Sequence, residues 1–383
     1  MTTKHFIYLS LFFALTWGCT QEDAIQTSTL DQKTFSRAAD PKLETELKQL
    51  MAEAKEGLNG SSNLRSNARV VWVPSGSRDV LQSAIFAAKG GIVLLESGEH
   101  YESRTVTIDR KVTILCDDGA VLISKTSPSL PTSLTITLQP VIHILNAADV
   151  FISSLELRPE GGIGNTGILV ENSPGTKLVS NKITQYQFCI IFEKSDNSTA
   201  YFNTLSTTTI WQTGDLIDVY GIVNVNGEGV RITSNDISGA ILGIWACSTK
   251  GFATTNLFHD NLIGVLLCKA PKDVFKFPDG HLNGSQLSGN NWLVTKNNAV
   301  DNLDAGYVVI DGANNNVLQG NWAANNARVD YEIAGDSERF GFFTPKAFNN
   351  TLYAQKGQSV KDCGVNSTIV GGELVDNRES PCF

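Results

Sequence analysis

The chain has 383 residues with 39 acidic and 30 basic side chains, a net charge of -9 and a pI near 5.1. That balance excludes the basic surface on which nucleic-acid binding depends. Charged residues make up only 18% and glycine supplies 33 positions, which excludes a disordered acidic chain and suits a folded body made of many short elements joined by turns.

Lys4 and His5 precede an apolar run over residues 6–15 that is too short to span a bilayer as a retained helix and has the form of an export-signal core. Trp17, Gly18 and Cys19 follow, and a small residue before cysteine at this point resembles a bacterial lipoprotein processing site. The resemblance implies that residues 1–19 are a processing segment and that Cys19 is lipidated. Residues 20–69 read as a polar tether followed by an amphipathic helix. Asp40 and Pro41 start that helix, and Leu43, Leu47, Leu50, Met51, Ala54 and Leu58 share one face of it, suited to docking on the body or to recruiting a partner.

The body is expected over residues 70–383. A helix over residues 77–88, ending at Gly90 and Gly91 before a strand at 92–95, would close the first coil of a solenoid against water. A Pro/Ser/Thr-rich excursion follows at 124–133. From Gly167 the chain repeats one pattern: glycine, an alternating apolar run, a polar turn, a second apolar pair and an asparagine. Gly221, Gly243, Gly264 and Gly306 open further copies, with Phe188 in place of a glycine, and Asp330 opens the last recognisable strand. A period of about 22 residues is a solenoid signature. The wide interval from Gly264 to Gly306 leaves room for one disguised coil beginning at Asn290.

Each coil is expected to hold two short strands that pair in parallel with their copies about 4.8 Å above and below. Alternation sends the first and third residues after each glycine inward: Ile168 and Val170, Cys189 and Ile191, Ile244 and Ala246, Val265 and Leu267, Tyr307 and Val309. Asn181, Asn203, Asn235, Asn256, Asn297 and Asn321 recur at one turn, where left-handed backbone and a ladder of hydrogen bonds both favour asparagine. Cys247 and Cys268 fall at the same outward position of consecutive coils and are expected to stack as thiols. After Ala334 the period breaks into an irregular cap. Asp336, Glu338 and Arg339 form a loop ion cluster there, and Cys363 with Cys382 can close a small disulfide loop.

The spacing and the glycine, apolar run, turn and asparagine order resemble the right-handed parallel β-helix proteins of the pectate-lyase-like (pectin-lyase-like) superfamily, in particular the periplasmic copper-site maturation branch. The resemblance covers residues 70–374. It implies an all-β fold, a right-handed parallel β-helix of roughly ten coils with an N-terminal capping helix. Function does not follow from it, because the architecture hosts lyases, hydrolases, esterases and adhesins alike.

Lyases of this fold carry carboxylates and a basic residue on the outward side of one strand stack. Here the outward rows read Leu169, Ile190, Val223, Trp245, Leu266, Val308 and Glu332, then Glu171, Phe192, Val225, Cys247, Cys268, Ile310 and Ala334. These rows hold no recognisable catalytic constellation. An apolar stripe this long must be covered, by the excursion at 269–290 or by the C-terminal tail, or else line a binding groove. In the groove reading, loops 207–220 and 269–290 are walls, and Trp211, Tyr220, Trp245 and Asp279 bind a sugar chain by stacking and hydrogen bonding. Asp215, Asp218 and His281 are the catalytic candidates there. His259 and Asp260 read as a turn hydrogen bond, His100, His143, His259 and His281 as too scattered for a metal, and no cofactor is expected.

The sequence therefore points to an exported lipoprotein of the outer membrane or cell surface, held to the membrane by lipid alone, that binds polysaccharide or an envelope protein. A polysaccharide lyase or glycoside hydrolase, and an accessory factor for a secreted metalloenzyme, are the alternatives.

Overall fold

The computed structural model describes residues 69–128, 135–207, 218–269, 272–284, 287–335, 337–339 and 342–375, together with Thr45, Gln49 and Ala52. The export segment with Cys19, and Trp211, Asp215, Asp336 and Cys382, lie outside the described residues, as do the side chains of Glu338 and Arg339.

Three long parallel sheets of 12, 9 and 11 strands run side by side. Each coil contributes one strand to each, as Lys177–Val179, Lys182–Thr184 and Tyr186–Glu193 show. The expectation of two strands per coil is thereby corrected to three. The turn expected at Asn181, where Ser180 adopts φ 54°, leads not into the next coil but into a further three-residue strand, Lys182–Thr184, on a different face. The chain is an all-β, right-handed parallel β-helix with one capping helix, as the sequence pattern predicts.

The glycine that opens each repeat marks a close approach between coils. A Cβ on Gly221 would lie 2.5 Å from the Gly243 carbonyl oxygen, and one on Gly243 would lie 2.5 Å from that of Gly264. The same test on Gly167 meets the Cys189 carbonyl at 2.7 Å, so Cys189, not Phe188, stands in the glycine position of its coil. Ile168 pairs with Ile190 and Leu169 with Ile191. Ile190 and Phe192 therefore point inward and Ile191 outward, correcting the predicted assignment; a one-residue slip exchanges the two faces of a strand. The inward positions of the Gly167, Gly243, Gly264 and Gly306 coils are as predicted.

Strand Ile263–Leu267 pairs directly with Ala305–Val309. The interval between Gly264 and Gly306 is thus a single coil carrying a long excursion, and the disguised extra coil is absent. Residues 293–295 and 298–300 finish the coil that Gly264 begins.

The interior is a continuous apolar column that also holds Trp292 and the stacked pair Tyr307 and Tyr331, 5.0 Å between ring centroids. Beside it runs the asparagine ladder. The Asn181 amide N–H donates to Asn203 Oδ1 at 2.9 Å, Asn203 to Asn235 at 2.9 Å, Asn235 to Asn256 at 2.9 Å, Asn256 to Asn297 at 2.9 Å and Asn297 to Asn321 at 3.0 Å. Each Nδ2 in this run also donates to the next Oδ1 and to a carbonyl of the previous coil, as Asn235 does to Ala200 O. The left-handed residue is the one before each asparagine: Ser180, Phe202, Ser234, Thr255, Lys296 and Gly320. The asparagines are there for the hydrogen bonds and not for backbone tolerance.

The capping helix spans Leu81–Ala88 and turns Leu81, Ala84, Ile85 and Ala88 onto the open end of the column. It starts later than predicted because Asp79 is left-handed at φ 52°. Its first N–H groups lack a local cap, and Glu102 from the next coil supplies one, accepting from the Leu81 N–H at 2.8 Å. Cys247 and Cys268 are free buried thiols with sulfurs 3.5 Å apart, and Cys363 is disulfide-bonded.

Asn235→Ala leaves the buried Asn203 N–H without its acceptor and removes the donor to Asn256. It is expected to cost roughly 2–3 kcal/mol, whereas Thr233→Ala one turn away on the outer face should cost under about 1 kcal/mol; urea unfolding of the two variants measures the difference.

Candidate functional site

The outward face of the 11-stranded sheet carries the apolar rows, and the excursion after Gly264 closes over them. Residues 272–284 form a strap. Its short strand Phe275–Lys276 pairs in parallel with Ile136–Thr137, and Phe275 donates its N–H to Asn283 Oδ1 at 2.8 Å across the strap's own hairpin. Phe275 meets Phe188 edge-on at 5.7 Å and Trp245 at 5.7 Å, while Tyr220 stacks between Phe188 at 4.9 Å and Trp245 at 5.2 Å. Trp245 Nε1–H donates to Cys268 Sγ at 2.9 Å.

Tyr220 and Trp245, predicted as a groove floor, are each only 8% exposed. They form the base on which the strap is packed, because aromatic rings in adjacent coils are worth more beneath Phe275 than in water. Asp218 sits at the edge of this cluster. Burial pushes its carboxyl up to about 6, and the Tyr220 hydroxyl donates to its Oδ2 at 3.4 Å. A carboxyl poised there has the protonation range of a general acid.

The tip of the strap builds a different constellation. Its chain turns at Phe277, whose N–H donates to the His281 carbonyl at 2.9 Å. The His281 ring lies flat on Phe277 with centroids 4.3 Å apart, and its Nδ1 is 2.5 Å from Asp279 Oδ1. That contact, led by the His281 backbone N–H, holds the Asp279 carboxyl below its usual range. His281 Nε2 reaches to 3.9 Å from Glu171 Oε1, and Glu171 Oε2 is 2.9 Å from His143 Nε2. One nearly buried carboxylate therefore lies between two histidines.

Glu193 stands beside Glu171 in register on the next coil. It is fully buried: Oε1 is 3.2 Å from Asn226 Nδ2 and 3.4 Å from Lys194 Nζ, and Oε2 has no hydrogen-bond partner. Desolvation raises its pKa, with the Glu171 charge adding to the shift. Two carboxyls thus meet in register in unlike surroundings, Glu193 buried with one oxygen unpartnered and Glu171 in contact with His143.

Asp279 and His281 are thus brought to Glu171 and His143, whereas Asp218 and Tyr220 lie at the other end of the sheet face. Tyr220 aligns with Phe188 and Thr166, and Thr166 is five residues before Glu171, about 17 Å along the strand. His143 and His281, read as scattered, converge through the fold. Carrying the repeat one coil upstream to Pro140–Leu145 would have placed His143 on the same face as Glu171, because Leu145 pairs with Glu171. His259 is on the 9-stranded sheet, bridging Asp236 at 3.0 Å and Asp260 at 2.6 Å; these contacts, Asp236 first, raise its pKa to about 9. Among the described residues no group of three or more His, Cys, Asp and Glu side chains is arranged to hold a metal.

Asp279 also lines a cavity of about 600 Å³ between the strap and the first coils. Arg104, Lys125 and Lys276 stand at its walls, all exposed and none in an ion pair among the described residues. The lining carboxylates are Glu102, committed to the helix cap, and Asp279, paired with His281. The cavity is a cationic patch on an acidic protein.

No family model and no curated protein matches the chain. Solved structures match in fold. A family 28 exopolygalacturonase from Yersinia enterocolitica is similar over 83% of this chain and 70% of its own, at 12% identity and a TM-score of 0.52. The periplasmic alginate epimerase AlgG is similar over 88% of this chain and 86% of its own, at 11% identity and 0.46. The Streptococcus pneumoniae surface adhesin PfbA follows at 80% and 98%, 12% identity and 0.43. At such identities the likeness is one of fold.

Phe275→Ala removes the strap's central anchor and is expected to cost roughly 3–5 kcal/mol, with a red-shifted tryptophan emission as Trp245 meets water. Glu193→Gln tests the buried acid. A raised folded pKa means wild-type stability is complete below the unfolded value and declines as pH rises through the folded one. The variant should therefore melt above wild type at pH 7.5 and lose that advantage at pH 4, by calorimetry.

Proposed function

We propose that this β-helix protein binds an acidic polysaccharide in the cavity between the strap and the first coils. The carrying observation is the convergence of Arg104, Lys125 and Lys276, free of ion pairs among the described residues, on one concave site of a chain whose net charge is -9. Cations spaced along an open cavity suit a chain with repeated carboxylates, and the polar wall residues Thr126, Thr137 and Gln139 suit its hydroxyls. The fold is one that, by its name, an exopolygalacturonase also uses. Export belongs to the same proposal: residues 1–19 as the signal, Cys19 as the lipid-bearing residue, residues 20–69 as the tether and Cys363 with Cys382 as the disulfide of the cap.

A second reading, a carbohydrate-active enzyme, is favoured by Glu171 and Glu193. They are adjoining carboxyls on the sheet face that Asp279 reaches through His281, and in this reading Glu171, in contact with His143, acts on the substrate with the buried Glu193 behind it. Asp218, with its pKa near 6, is the remaining acid candidate of the original groove.

Calorimetric titration with polygalacturonate, alginate and neutral dextran tests the binding reading. Acidic polymers should bind and dextran should not. Arg104→Ala, Lys125→Ala and Lys276→Ala should each weaken binding roughly 3–10-fold, and binding should fade at high salt. Equal binding of dextran, or affinity untouched by all three variants, rejects the cavity. In the same mixtures, unsaturated or reducing ends that vanish in Glu171→Gln would establish the enzyme; ends that persist there and vanish in Asp218→Asn would move catalysis to the other site.

A further inference from the structure

The outward face of the 12-stranded sheet changes character along its length. On the early strands Ile92, Leu94, Leu115, Phe151, Val179 and Tyr201, which share the outward face with Thr113, Ser153, Lys177 and Thr199, form a buried cluster apart from the interior, to which Val93, Leu95, Ile114, Ile152, Leu178 and Ala200 belong. From the next strand on, one outward row reads Thr233, Thr254, Thr295 and Gln319, and the apolar members of the other, Phe252, Leu293 and Val317, are only half-buried. The six apolar side chains are between 0% and 6% exposed, and among the described residues the cluster they form is confined to this face with Val70 and Phe202 packed against it. A single sheet face does not shield itself from water.

We propose that residues 41–58 lie on this face as an amphipathic helix, running opposite to the direction in which the coils grow. Thr45, Gln49 and Ala52 are helical and exposed. Their spacing puts them on one side of a helix, and Leu43, Leu47, Leu50, Met51 and Leu58 then fall toward the other. The lengths agree. A helix from Leu43 to Leu58 rises about 23 Å, and the six strands from Val70–Val73 to Thr199–Tyr201 span about 24 Å. In the proposed placement Leu58 lies over the first strands, nearest Val70 in the chain, and Leu43 over Tyr201. Whatever precedes Pro41 then leaves from the flank of the solenoid, several coils from the capped end. On the export reading proposed above, a tether attached there would hold the solenoid side-on to the anchoring surface, with the strap-side cavity on a different sheet.

Disulfide trapping in the chain from residue 20 onward tests this. Leu47→Cys with Val179→Cys should cross-link on mild diamide oxidation about tenfold more than Leu47→Cys with Leu94→Cys, since cross-linking follows proximity, and peptide mapping separates these bonds from the native cysteines. The reverse preference overturns the direction, equal yields overturn the register, and a cross-linked dimer overturns the intramolecular occupant. As a second reading, Leu47→Asp with Leu50→Asp should speed tryptic cleavage at Lys42, Lys48 and Lys55 about tenfold, because cleavage follows the open population, while Thr45→Asp with Gln49→Glu leaves it unchanged. Identical rates in both pairs overturn the docking.

Discussion

In-register stacking of each coil on the next is the constraint from which the other features follow. Parallel ladders alone leave the bends between strands unsatisfied, since a turn has backbone groups with no neighbour in its own coil. The asparagine run solves this with a side chain that accepts from the amide of the coil before it and donates to the coil after it, as Asn203, Asn235 and Asn256 do in sequence. A second, shorter run, Asn261 to Asn302 to Asn326, does the same at the next bend. Such bonds are buried, where leaving one unmade costs about 1–3 kcal/mol. They hold register as well as stability, because a slipped coil would orphan both partners.

Stacking also explains why chemistry gathers on outward faces. Once the inward positions are committed to the column, a side chain at a given strand position meets its counterparts about 4.8 Å away in the neighbouring coils. Glu171 and Glu193 become neighbours by this rule alone. So do Cys247 and Cys268, and so do Tyr220 and Trp245. The rule builds rows; it does not decide whether a row faces water. That decision belongs to the excursions, which are free of the period and can fold back over any face they reach.

This division sets how much was legible in the sequence. Fold class, the glycine positions, the inward residues of four coils and the asparagine ladder all follow from period and alternation, and they stand. The errors have local causes. Phe188 and Cys189 lie 21 and 22 residues after Gly167, and since both intervals occur between the glycines, spacing alone does not choose between them. The third strand per coil is faint in the sequence because it is three residues long with one inward apolar side chain, as Ile183 between Lys182 and Thr184. The convergence of His143 and His281 on Glu171 could not be read from spacing, since His281 comes from a non-repeating strap and nothing periodic says where its tip lands.

The strap therefore connects the two halves of the molecule's logic. Phe275 and Phe277 are fully buried against rows that would otherwise be an exposed apolar stripe, so covering the face and positioning the tip are one packing event. Burying each phenylalanine contributes roughly 2–3 kcal/mol, enough to hold the turn that sets His281 flat on Phe277 and toward Glu171. The same placement puts Lys276 and Asp279 at the wall of the cationic cavity. A face that carried its own catalytic row would leave no apolar base for such a strap. The apolar rows are what allow the strap to dock, and its docking brings His281 to the Glu171 and His143 side chains of the sheet.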